Sequence, residues 1–264
     1  MILKGKKGII FGALDDQSIA WKIAEHCVAE GAEIVLTNAP VAFRMRGDTS
    51  ITTLAEKLNC EAIPADATRL DDLENLVEKS VEKLGKIDFV LHSIGMSINI
   101  RKNKPYTESN HDYMQKSFDI SSISFHKLMQ TLWKMDAMND WGSVVALTYI
   151  GAQRIFPHYG EMAEAKALLE SFARSFGYHF GEKKKIRVNT ISQSPTVTTA
   201  GSGIEGFDDF WNHADKMSPL GNASADDCAK YCMTLFSDYT KYVTMQNLFH
   251  DGGFSSMGMN PKAV

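Results

Sequence analysis

Short apolar runs alternating with longer amphipathic stretches, almost from end to end, constrain what this chain can fold into more than any other feature. The runs are Gly8–Phe11, Glu33–Thr37, Ala62–Ala65, Phe89–Leu91, Ser143–Leu147, Arg187–Ile191 and Asn247–His250. Several are rich in valine and isoleucine and lack polar alternation, which is the pattern of strands covered on both faces. The stretches between them, including Ile19–Glu30, Asp71–Leu84, Met114–Met135 and Glu161–Phe180, repeat their apolar residues at helical spacing. Asp71 and Asp72 open one of these, where carboxylates satisfy free backbone amides. The alternation predicts an α/β fold: a doubly wound parallel sheet of about seven strands, with helices on both faces and right-handed crossovers.

No Pro/Ser-rich linker, repeat or low-complexity tract divides the sequence, so residues 1–264 are expected to form a single domain. One segment, about 193–217, breaks the alternation. Long insertions in compact domains are more often functional than idle, and this one follows the carboxyl end of a strand, where sheets of this kind bind ligands. It is expected to contact a ligand there. A net charge of −4 and a pI near 6.1 argue against nucleic acid as a partner. The opening residues read as the approach to a first strand, not as a signal peptide, and no apolar run approaches the roughly 18–20 residues that span a bilayer. A cytoplasmic protein without a membrane partner is expected. Cys27, Cys60, Cys228 and Cys232 are scattered; Cys228 and Cys232 lie four apart on a predicted helix, but nothing nearby completes a metal site. They read as thiols in a reducing compartment, and no metal is expected.

The first run leads into Gly12-Ala13-Leu14-Asp15-Asp16-Gln17-Ser18-Ile19-Ala20 and then a helix. Strand, tight turn and helix start are the physical core of a dinucleotide site, because a helix amino terminus offers free N–H groups and partial positive charge to a pyrophosphate. Gly12 allows the turn, and Ser18 and Ala20 are small enough for close approach. The single glycine leaves the usual three-glycine fingerprint incomplete. Asp66, ahead of Ala67 and Thr68, is placed to accept from an adenine amino group, or else to cap a helix with Thr68. Ser93-Ile94-Gly95 follow the fourth run, with a glycine that lets backbone lie against a ribose. The second run ends Leu36-Thr37-Asn38 without the acid that binds NAD ribose hydroxyls, while Arg44 and Arg46 either hold a 2′-phosphate or are ordinary surface arginines. NADH is the expected cofactor, with NADPH kept open.

Tyr159 and Lys166 are seven positions apart, so on a continuous helix both side chains would point into one cleft. A phenol hydrogen-bonds well to a developing enolate oxygen, and a nearby ammonium favours negative charge there. Tyr149 ends the fifth run. With these residues on the page, the chain resembles the short-chain dehydrogenase/reductase superfamily over nearly its whole length. The marks are the single-glycine loop, Ser93-Ile94-Gly95, the lysine helix, Arg187-Val188-Asn189-Thr190-Ile191 and Asp251-Gly252-Gly253. Ordinary members carry a tyrosine four residues before the lysine and a serine thirteen before that tyrosine. Here those positions hold Met162 and Tyr149. The Tyr149, Tyr159, Lys166 spacing instead resembles the enoyl-acyl-carrier-protein reductase branch, as do Ser18-Ile19-Ala20, His92-Ser93-Ile94-Gly95 and Asp119-Ile120-Ser121-Ser122.

The resemblance implies a Rossmann-type catalytic domain that reduces a trans-2-enoyl thioester. Tyr159 would stabilise the enolate oxygen, Lys166 would bind the nicotinamide ribose, and Tyr149 would lie beside the thioester. Gly12, Ser18, Ile19, Asp66, Ala67, Ser93, Ile94, Gly95 and Thr198 fall on the cofactor side. Met96, Tyr149, Tyr159, Phe207 and Phe210 fall on the substrate side. Ile204, Phe207 and Trp211 either make one apolar face for an acyl chain or pack on the sheet. The resemblance implies that segment 193–217 folds over the substrate, and Gly201, Gly203 and Gly206 would let it move as a lid. The resemblance further implies an acyl-carrier-protein thioester as substrate and a homotetramer. Two departures stand out. Ser194, preceded by Gln193, replaces the family's glycine before Pro195. Glu205, Asp208 and Asp209 put acid on the lid where an acidic carrier would dock, so Arg101, Lys102 and Lys104 are expected to attract it instead. A carbonyl reductase, disfavoured by Met162, and a non-catalytic nicotinamide sensor are the alternatives.

Overall fold

The computed structural model describes residues 1–45, 47–199, 201 and 206–263. Strand β1 (Lys7–Phe11) is followed by α1 (Ile19–Ala29), β2 (Glu33–Asn38), α2 (Ile51–Lys57), β3 (Glu61–Pro64) and α3 (Leu70–Leu84). Then come β4 (Ile87–His92), the short α4 (Ile98–Arg101), α5 (His111–Phe118), α6 (Ser124–Lys134) and β5 (Met138–Thr148). The chain continues through α7 (Met162–Lys184), β6 (Arg187–Gln193), α8 (Phe207–Met217), α9 (Ala225–Phe236) and β7 (Asn247–His250).

The seven strands form one parallel sheet in the order β3-β2-β1-β4-β5-β6-β7. Their lack of alternation has a direct cause, because neighbouring residues of one strand enter opposite cores. Ile10 and Leu36 pack with α1 and α9, whereas Ile9, Phe11 and Val35 pack with α3, α6 and α7. Winding runs outward from β1 to β3 on one side and from β4 to β7 on the other, so the sheet has its switch point between β1 and β4.

Two helix expectations need correction. Met114–Met135 is not continuous: α5 and α6 are joined by a π-helical turn at Asp119–Ile123. The extra residue splits adjacent serines between different partners. Ser121 Oγ accepts from Met96 N at 3.0 Å, while Ser122 Oγ donates to Ala165 O at 2.6 Å. The lysine helix begins at Met162, not Glu161, and Tyr159 precedes it on a separate 3-10 turn, Pro157–Tyr159.

Gly8 on β1 shows how tightly the sheet meets its cover. A Cβ there would lie 2.2 Å from Phe89 Cε2, and Phe89 is itself fully buried and stacked on Phe236 with centroids 4.5 Å apart. Gly8→Ala is expected to cost about 1–3 kcal/mol by overpacking. The check is chemical denaturation, with a lower midpoint at unchanged slope as the expected result.

Candidate active site

At the switch point, beyond the carboxyl ends of the strands, lies a cavity of about 910 Å³, toward the upper end of the roughly 300–1,000 Å³ usual for ligand sites. On the β1 side Gly12, Ser18 and Ile19 border it. Gly12 has φ +98°, and a Cβ there would sit 2.0 Å from the Ser93 carbonyl oxygen. The β1 and β4 loops therefore touch through a position that only glycine fits. Ser18 caps α1, accepting from Trp21 N at 3.3 Å and donating to Asp15 O at 2.7 Å, so the free amides of the helix start face the cavity from a tied loop.

Asp66 and Ala67 border the cavity after β3. Asp66 Oδ1 accepts from both N and Oγ1 of Thr68, at 2.9 and 2.7 Å, which closes a turn ahead of α3; the residue in the cap position itself is Arg69. After β2 the cavity meets Asn38, whose amide donates to Ala13 O at 3.3 Å. Arg44 is exposed and does not border it. Arg46 lies outside the described residues. Ser93, Ile94, Gly95 and Met96 line the cavity behind β4.

Tyr149, Tyr159 and Lys166 all reach the same cavity, although not by the route the spacing suggested. Tyr159 is held off the helix by Pro157 and by Gly160 at φ +49°, so it converges with Lys166 through a reversal of the chain. Lys166 is buried on α7 and donates to Leu147 O at 2.9 Å and Ile94 O at 3.4 Å. Burial pulls its pKa from 10.5 down to about 8, with Glu170 opposing the shift. Glu170, one turn further along α7, accepts from Thr148 Oγ1, Gln153 Nε2 and Asn247 Nδ2 at 3.0, 3.1 and 3.2 Å. Its sequence neighbours gave no sign of this role.

Both phenols are pushed well above the usual tyrosine range, chiefly by burial, and so stay protonated. Tyr149 Oη is buried without a hydrogen-bond partner in the structure. Its ring meets Tyr159 at 5.1 Å, Phe210 at 5.2 Å and Phe156 at 5.3 Å. Phe156 went unnoticed in the sequence; its only signal was an aromatic just ahead of Pro157. Met162 is buried beside them, with its thioether receiving the Ser121 hydroxyl at 3.7 Å.

On the lid side Thr198, Phe207 and Phe210 border the cavity, and Thr198 Oγ1 accepts from Gly201 N at 3.0 Å. Trp211 does not border it; its carbonyl accepts from Asn222 Nδ2 at 2.9 Å. Gly203, Ile204 and Glu205 lie outside the described residues. The Gln193-Ser194 departure ties the lid base down. Gln193 Oε1 meets His250 Nδ1 at 2.7 Å, and its Nε2 donates to Thr196 Oγ1 and Ala223 O at 3.2 and 3.1 Å. Ser194 Oγ accepts from Ala223 N at 3.0 Å.

A family model described as enoyl-(acyl carrier protein) reductase matches residues 12–255. An enoyl-[acyl-carrier-protein] reductase [NADH] of Rhizobium meliloti is 35% identical, over 100% of this chain and 94% of the relative. The FabI of Rickettsia bellii, an enoyl-[acyl-carrier-protein] reductase [NADH], is 34% identical over 98% and 97%. Among solved structures, a FabI–NADH complex from Alistipes finegoldii superimposes with a TM-score of 0.97 at 62% identity, covering 100% of this chain and 92% of that one. With the single-glycine loop, the displaced tyrosine and the buried lysine meeting in one cavity, the chain belongs to the enoyl-(acyl carrier protein) reductase family.

Proposed function

We propose that the chain catalyses NADH-dependent reduction of trans-2-enoyl-acyl-carrier-protein to the saturated acyl-carrier-protein, a step of type II fatty acid synthesis. Support comes from full-length relatives bearing that activity in their names and from Tyr159, Lys166 and Tyr149 meeting in one cavity. The residues present fit a dinucleotide. Gly12 lets the β1 and β4 loops meet at the cavity edge, the start of α1 borders the cavity at Ser18 and Ile19, and Lys166 is an enclosed cation beside Gly95. Gly12, Ser18, Ile19, Asp66, Ala67, Ser93, Ile94, Gly95, Lys166 and Thr198 are the residues assigned to hold it. Asn38, not an acid, ends β2, and Arg44 stands away from the cavity, so among the described residues near β2 no arginine borders it.

When bound, NADH supplies the hydride that adds to the β-carbon of the enoyl thioester. Negative charge then develops on the thioester oxygen as the enolate forms. Tyr159, kept protonated by burial, donates a hydrogen bond to that oxygen, and the Lys166 ammonium favours charge there. Uptake of a proton from solvent at the α-carbon completes the reduction and leaves Tyr159 with its own proton. Tyr149, Met96, Phe207 and Phe210 enclose the thioester and acyl chain. Met162 has no proton to give, so the position used by ordinary carbonyl reductases of the superfamily is silent here.

We read residues 1–264 as one catalytic domain with a substrate-binding lid at about 193–217. We place it in the cytoplasm, in keeping with four free cysteines and with no helix of the described residues being long and apolar enough to cross a membrane. A homotetramer is supported by the family and by Phe249, 41% exposed on the edge strand β7. For the carrier protein, Arg101 at the cavity and Lys102 and Lys104 nearby offer positive charge, while Asp208 and Asp209 on α8 oppose it.

Tyr159→Phe should lower turnover of an enoyl thioester by about 100-fold or more while leaving NADH affinity within about twofold; undiminished turnover would remove Tyr159 from its role. Because burial depresses the Lys166 pKa to about 8, the ammonium is present below that pH and lost above it. NADH affinity should therefore be flat in the acid range and then fall by up to about tenfold per pH unit beyond pH 8. A fluorescence titration that stays level through this range would contradict the assignment. Lys102→Glu with Lys104→Glu should raise KM for carrier-bound substrate about tenfold or more, and leave KM for an uncharged N-acetylcysteamine thioester unchanged.

A further inference from the structure

Glu161 is fully buried, yet the mechanism above makes no use of it. It sits between Tyr159 and Lys166, just before α7 begins. Only neutral donors face its bonded oxygen. Oε1 receives the Ser97 hydroxyl at 2.7 Å, the Ser117 hydroxyl at 2.9 Å and the Asn99 amide at 3.2 Å. Oε2 is buried with no hydrogen-bond partner in the structure. A buried carboxyl group costs several kcal/mol if left unbonded, so this arrangement holds its three donors firmly.

Of those donors Ser97 borders the cavity, and Asn99 and Ser117 tie the same segment from elsewhere. Ser97 caps α4 by accepting from Ile100 N at 3.0 Å, and its hydroxyl donates a hydrogen bond to Glu161. Asn99 pairs with the backbone of Asn110, donating to its O at 3.1 Å and accepting from its N at 2.9 Å. Ser117 shares its single proton between Glu161 and Tyr113 O on α5. Helix α4 spans only Ile98–Arg101, far too short to hold its own shape. Ile100 and Arg101 border the cavity, and a Cβ on Gly160 would meet Ile100 Cγ1 at 3.1 Å. The Tyr159–Gly160 turn and the α4 wall therefore lie in contact, joined by one carboxyl group.

We propose that Glu161 is a positioning residue that sets the α4 wall against Tyr159, fixing where an acyl thioester lies relative to the phenol. It does not touch the reacting atoms; it acts through Ser97, Asn99 and Ile100. The proposal rests on the enoyl-reductase reading for its substrate, but not for its geometry.

The test compares wild type, Glu161→Ala and Glu161→Gln, using NADH and crotonyl-N-acetylcysteamine. An amide oxygen, with two lone pairs, can keep the Ser97 and Asn99 bonds while Ser117 donates to Tyr113 O alone, so Glu161→Gln should keep kcat/KM within about fivefold. Glu161→Ala should lose about 10- to 100-fold in kcat/KM, with KM rising, as expected for misplacement of the substrate by a fraction of an ångström. NADH affinity should stay within about twofold in both. Hydrogen exchange adds a readout independent of turnover: amides of residues 97–101 should lose protection in Glu161→Ala and keep it in Glu161→Gln. Unchanged exchange and kinetics in Glu161→Ala would overturn the proposal, as would parallel loss of NADH binding and turnover in both variants, which marks a purely structural role. A wild-type enzyme that turns over no enoyl thioester would defeat the functional reading, leaving the exchange comparison to decide the role of Glu161.

Discussion

An ammonium group taken out of water has to be surrounded by acceptors, and in this molecule that requirement organises the active site. Lys166 is held by the carbonyl oxygens of Leu147 and Ile94, the first near the end of β5 and the second just beyond β4. Glu170 supplies counter-charge from the next turn of the same helix and is itself fixed from β5, β7 and the loop at Gln153. A single cation thus ties α7 to the middle of the sheet at its carboxyl edge. Gly95 lies beside this ammonium, where a Cβ would stand 3.5 Å from Lys166 Nζ and 3.3 Å from Met162 Cε. The phenols of Tyr149 and Tyr159 are then positioned around a charge that is already in place, as electrostatic preorganisation requires.

The parallel sheet was legible in the chain because several of its strands, β1, β2 and β4 among them, are covered on both faces, which leaves apolar runs where a one-sided sheet would leave alternation. Tyr149, Tyr159 and Lys166 were legible for a different reason: a family spacing survives even when the local conformation behind it is misread. The helical account of Tyr159 and Lys166 overlooked Pro157 and Gly160, two residues that interrupt a helix for well-understood reasons. Glu161 was harder to see. An acidic residue near a helix start reads as a solvated cap, and only the folded chain brings Ser97, Asn99 and Ser117 to it from elsewhere. Long-range polar partners of this kind leave no periodic trace.

Gln193 and Ser194 show how a departure from a family pattern can be absorbed. In place of a small, permissive residue, the chain has two side chains that bond to His250, Thr196 and Ala223. Because His250 also stacks on Tyr231, with centroids 5.1 Å apart, the base of the lid is coupled to β7 and α9. The start of this segment is anchored to the sheet, while Phe207 and Phe210 come from α8 beyond it.

The π-helical turn between α5 and α6 makes the site sensitive to chain length as well as to chemistry. It holds one residue more than an α-helical turn, and α5 and α6 keep their phases because that surplus is absorbed at Asp119–Ile123. Without the surplus residue Ser121 and Ser122 would no longer both reach their partners, Met96 N and Ala165 O. A point substitution at either serine removes its particular bonds, whereas an insertion or deletion changes how the two helices are joined. The number of residues in this turn is thus as much a part of the site as the two hydroxyls it carries.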